Sequence, residues 1–66
     1  MNFQIVFGRS FNSFFQRLVR EQLSNRYTFK EAYYSFAHRE LRIIATDEQG
    51  KEHRYAWIDG ELISCL

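Results

Sequence analysis

Residues 28–40, TFKEAYYSFAHRE, decide between two folds for this chain. As a helix the stretch opens well. Thr28 can cap it and Glu31 stands three residues later, the spacing of a capping box. Phe29, Ala32, Tyr33, Phe36 and Ala37 then follow the i, i+3, i+4, i+7, i+8 rhythm of one helical face. As a strand the stretch has suitable aromatic residues, but Lys30, Glu31 and Ala32 interrupt the alternation. The periodicity predicts a helix over about 29–38.

The flanking segments are plainer. Phe3, Ile5 and Phe7 alternate with Gln4 and Val6 and stop at Gly8, which predicts a short strand over 3–7. In SFNSFFQRLVREQL, residues 10–23, the apolar stripe Phe11, Phe14, Phe15, Leu18, Val19, Leu23 has helical spacing. A helix over 10–24 follows, with Ser10 as one possible cap and Ser24-Asn25 as its stop. After residue 40 the period falls to two. Leu41, Ile43 and Ala45 oppose Arg42, Ile44 and Thr46, and His53, Tyr55 and Trp57 oppose Arg54, Ala56 and Ile58. DEQGK predicts the turn between these strands, and Asp59-Gly60 is the favoured pair for a two-residue type I′ hairpin into ELISCL. The expectation is a single α+β domain over residues 1–66. It has two layers, an antiparallel sheet of about four strands with two helices on one face, and the order β-α-α-β-β-β.

At 66 residues the domain buries only about 60% of the surface of its unfolded chain, so its core must be efficient. A single cysteine, Cys65, excludes an internal disulfide. His38, His53 and Cys65 lack zinc-site spacing, so no metal and no cofactor is expected. Aromatic residues make up 18% of the chain and supply the apolar mass instead. No apolar run approaches the ~20 residues of a membrane span, and no basic leader precedes the first apolar residues; the expected place is the cytoplasm.

No catalytic constellation stands out. GRS at 8–10 lacks the second glycine of a nucleophile elbow, and the acidic residues near 47 and 59 fit turn chemistry. No catalytic residue is assigned and an enzyme is not expected. Charge is divided along the chain. Residues 1–39 hold six basic residues against Glu21 and Glu31, a balance of +4, while residues 40–66 hold three against six acidic ones, a balance of −3. Arg17 and Arg20 fall outside the apolar stripe of the first helix. His38, Arg39, Arg42, His53, Arg54 and Tyr55 form a second basic group, with positions 42 and 54 close to cross-strand partners.

The opening FQIVFGRSFNSFFQRL, residues 3–18, resembles that of the RelE/ParE-type bacterial toxins. The resemblance covers about a quarter of the chain. It implies a strand, two helices and an antiparallel sheet. The second helical segment is short here, and ISCL lacks the basic and aromatic residues with which such ribonucleases end, so no active site is carried over.

Two functional expectations follow. The first is a small non-catalytic protein acting by protein–protein interaction, such as a regulator or a phage or mobile-element inhibitor of a host protein. Its contacts would come from Arg17, Arg20, Tyr34, Arg42, Arg54, Tyr55 and Trp57, residue types common at interface hot spots. A homodimer through the edge strand ELISCL, uncharged after Glu61, belongs to this expectation. The second is a nucleic-acid-binding protein or small RelE-like ribonuclease using Arg17, Arg20, Arg42, Arg54 and His53.

Overall fold

The computed structural model describes residues 9–65. Helix α1 spans Arg9–Gln22 and is followed by β1 (Thr28–Ser35), β2 (Glu40–Thr46), β3 (Glu52–Ile58) and β4 (Glu61–Ser64). The strands form one antiparallel meander in the order β1-β2-β3-β4. The α+β class is as expected, but the element order is not. Only one helix is present among the described residues, it comes first, and the strand expected over 3–7 lies outside the described residues.

The second helix is replaced by β1, and the reason is a β-bulge. Phe29 pairs with Ala45 and Glu31 with Ile44, leaving Lys30 as the extra residue. The bulge keeps Phe29 and Ala32 on one side of the sheet although they are three residues apart. Lys30 and Glu31 both project to the other side, where Lys30 forms an ion pair with Glu52 across β2. Spacing that looks helical is thus met by an irregular strand. A ten-residue helix is marginal alone, whereas β1 pairs with β2 from Thr28 to Ser35. Phe36 and Ala37, the last members of the supposed stripe, lie exposed in the β1–β2 turn. That turn is closed by Arg39 at φ 55, a left-handed conformation costing roughly 1–2 kcal/mol in a residue with a side chain.

Antiparallel partners share a face, so the registers divide the sheet. Phe29, Ala32, Ile43, Ala45 and Tyr55 face α1 and form the core with Phe15 and Val19. Phe15 stacks on Phe29 with ring centroids 5.5 Å apart and meets Trp57 edge-on at 6.0 Å. The apolar stripe of α1 is therefore correct in outline: Phe15 and Val19 are buried, Leu18 and Leu23 half-buried, and Phe14 exposed but edge-on to Trp57.

The β2–β3 and β3–β4 turns follow local chemistry. Asp47 Oδ1 accepts the N–H groups of Gln49 and Lys51, each at 2.9 Å, and Gly50 takes φ 83. At the β3–β4 turn Asp59 (φ 52) and Gly60 (φ 81) are both left-handed, as a type I′ turn requires.

Ile43 is fully buried at the centre of the sheet. Ile43→Ala is expected to cost ~2–5 kcal/mol, enough to leave so small a domain largely unfolded, whereas Ile63→Ala at an exposed position changes stability by less than ~0.5 kcal/mol. Urea denaturation of the two variants checks the contrast.

Candidate functional site

The face of the sheet turned away from α1 is only partly open: Tyr33, Ile44 and Ala56 on it are buried, while Arg54, Ile58 and Ile63 are exposed. By register it holds Tyr33, Arg42, Ala56 and Ile63 in one row and Glu31, Ile44 and Arg54 in the next. Arg42 and Arg54 are diagonal neighbours there, close to the relation the sequence suggested. Their surroundings differ. Arg42 is half-buried and its Nε lies 2.5 Å from Glu40 Oε2. Arg54 is exposed and forms no salt bridge among the described residues, although its charge helps to lower the pKa of Glu52. Ile63 (46% exposed), diagonal to Arg54, and Ile58 (40% exposed), diagonal to Ile63 and four residues along β3 from Arg54, present apolar surface toward the β4 side.

The other candidates lie elsewhere. Arg17 and Arg20 are exposed on α1, on the opposite side of the molecule from Arg42 and Arg54. Neither forms a salt bridge among the described residues. Tyr55 belongs to the core, where burial raises its phenol pKa. Trp57 is half-buried between Phe14 and Phe15, and its indole N–H is buried without a hydrogen-bond partner among the described residues. Tyr34 is half-buried, edge-on to Phe36 at 5.0 Å. His53 shares the α1 side of the sheet, its Nε2 2.9 Å from Asp47 Oδ2 and its ring edge-on to Tyr27. It braces the β2–β3 turn. His38, in the β1–β2 turn, holds Ser35 Oγ at 3.0 Å through Nδ1. The basic residues thus do not converge. A cleft of about 190 Å³ lined by Gln16, Arg20, Tyr27, Thr28 and Phe29 separates α1 from β1, smaller than the ~300 Å³ at which ligand pockets begin.

Among the described residues no three His, Cys, Asp or Glu side chains are grouped to hold a metal ion. Nor is any helix among them long and apolar enough to cross a membrane.

Two contacts that hold the strands and turns together were not legible in the sequence. The Lys30–Glu52 pair depends on the bulge. The bonds of Gln22 to Gly60 and Leu62 link residues about forty positions apart. No protein-family model, curated protein or solved structure matches this chain. The resemblance to RelE/ParE-type toxins stays confined to the quoted opening, and the helix pair it implies is not formed among the described residues.

The turn and the Lys30–Glu52 pair give stability a definite pH profile. The hydrogen bond from His53, then that from the Lys51 N–H, holds the Asp47 carboxyl below its ordinary range. The hydrogen bond from Lys30, then its charge, does the same for Glu52. Depressed carboxyl groups stabilise the fold above their unfolded values, and that contribution is lost as pH falls through the folded ones. Lys30, raised by the hydrogen bond to Glu52, and Tyr55, raised by burial, contribute below their unfolded values and lose this as pH rises through the folded ones. The melting temperature is therefore expected to be level near neutrality and to fall below about pH 4 and above about pH 10. Asp47→Asn lowers the plateau and shallows the acid limb; thermal melts across pH measure both.

Proposed function

We propose that this chain is a small non-catalytic binding protein that acts through protein–protein contact, using the outer sheet face around Arg54, Ile58 and Ile63. The observation that carries the reading is the exposure of Ile58 and Ile63 on the same face as Arg54, an arginine without a salt bridge among the described residues, with Ile63 diagonal to both. Apolar surface can be buried against a partner, while the guanidinium supplies a directional, charge-assisted contact to a carboxylate or carbonyl. Half-buried Arg42, held by Glu40, gives the patch a fixed margin. A regulator or inhibitor of a host protein is the kind of task that suits a small chain with such a surface.

Nucleic-acid binding is the weaker reading. A phosphate backbone favours a continuous basic track. On the outer face Lys30, Arg42 and Arg54 are interleaved with Glu31, Glu40, Glu52 and Glu61. Arg17 and Arg20 lie on the far side of the molecule, and His53 is occupied in its turn. Self-association through the β4 edge is not part of this proposal, because the Gln22 side chain already occupies that edge.

The test compares affinity captures from the native host by tagged wild type, by Arg54→Glu with Ile63→Lys, and by Arg17→Glu with Arg20→Glu. A specific protein retained by wild type and by the helix variant is expected to be lost, roughly tenfold or more, from the sheet-face variant. Retention by the sheet-face variant overturns the assignment of the surface. Salt-sensitive binding to RNA or DNA at low ionic strength overturns the class of partner.

A further inference from the structure

The geometry points to Gln22 as a guard of the β4 edge: its carboxamide takes the place of the N–H and C=O groups that an incoming strand would offer and keeps β4 from pairing with β4 of a second copy. β4 is an outermost strand among the described residues. The N–H of Cys65 donates to the carbonyl of Arg54 at 2.9 Å. Cys65 and, two residues apart, Ile63 and Glu61 thus direct their backbone groups at β3. Leu62 and Ser64 direct theirs outward. Gln22, the last residue of α1, meets this outward row at two points. Its Nε2 donates to the Gly60 carbonyl at 2.7 Å and its Oε1 accepts the Leu62 N–H at 2.8 Å. A carboxamide that donates to one backbone group and accepts from another two residues on reproduces what a neighbouring strand offers.

The guard answers a need specific to this edge. Outermost strands are protected by charges, prolines, bulges or covering elements. β1 has the bulge with Lys30 and Glu31. β4 has none of these after Glu61: Leu62, Ile63, Ser64 and Cys65 are uncharged and include no proline. The same four residues are identical in any second copy, so an isologous pair of β4 strands is the contact nearest to hand. One side chain from α1 therefore does two jobs. It ties the helix end to the β3–β4 hairpin, and it closes the part of the edge nearest the turn.

Sedimentation and amide hydrogen exchange test the assignment. In wild type the chain is expected to sediment as a monomer, with the Leu62 amide exchanging roughly tenfold or more slowly than the Ser64 amide, which also points outward but has no partner among the described residues. Gln22→Ala, folded by circular dichroism, is expected to lose the Leu62 protection and to double in mass as concentration rises. Adding Ser64→Pro, which removes an outward donor without touching the ladder to β3, returns it to a monomer. A folded Gln22→Ala that stays monomeric overturns the proposal. So does a wild-type Leu62 amide as exposed as that of Ser64, and this measurement decides the matter should Gln22→Ala fail to fold.

Discussion

The stacking of Phe15 on Phe29 is the contact on which the rest of this structure depends. Among the described residues a single helix covers one face of the four-stranded sheet. Phe15 and Val19, both almost wholly buried, are the residues through which α1 does so. Below them Ile43 and Ala45 are completely closed from solvent on the second strand, and Tyr55 on the third adds its ring. Burying one aromatic side chain removes on the order of 150–250 Å² from water, so a few rings do the work that a larger domain spreads over many aliphatic residues. The high aromatic content is explained by this thinness of the core more than by any surface role.

That contact requires Phe29 to point toward α1, and Phe29 can do so along with Ala32 only because β1 is bulged at Lys30. The irregularity is also where the sequence misleads. A spacing of three between apolar residues has two physical solutions, a helical turn or a strand with one extra residue, and the local pattern does not separate them. The choice is made by partners distant in sequence: Ala45 and Ile44 on β2, and Glu52 on β3, which receives the Lys30 ammonium. The later elements were legible for the opposite reason. Asp47 and Gly50, and Asp59 and Gly60, fix their turns by side-chain and backbone preferences within four or five residues. Once both ends of a hairpin are set, its register and faces follow. Hence the register puts Arg42 and Arg54 on one face, whereas Tyr55, expected among the contact residues, lies in the core.

The charge asymmetry along the chain has a similar fate. A basic first part and an acidic second part suggest two oppositely charged patches. Folding mixes them. Lys30 from the first part reaches Glu52 in the second. Arg26 approaches Glu48 at 4.0 Å between two exposed side chains, a pair of little energetic value. Arg42 is matched by Glu40 on its own strand. Without a salt bridge among the described residues are Arg17 and Arg20 on the helix, Arg54 on the sheet, and Arg39 and Lys51 in the β1–β2 and β2–β3 turns. Such a distribution gives orientation to a contact more readily than it gives bulk attraction for a polyanion.

The two outermost strands among the described residues bear on the proposed contact. If both edges are closed to pairing, β1 by its bulge and charges and β4 by Gln22, an incoming protein has to meet side chains and not backbone. Recognition by side chains on a flat sheet is governed by a few anchors. Ile58, Ile63 and Arg54 are the exposed residues of the β3–β4 hairpin with the apolar area and charge to serve as such anchors. The hairpin is held rigid from behind by the same glutamine and by the type I′ turn. On the proposed reading, guarding the edge and presenting the face are linked: the bond that denies β4 a strand partner also fixes the hairpin that carries the exposed isoleucines, so less conformational entropy would be lost on binding a partner there.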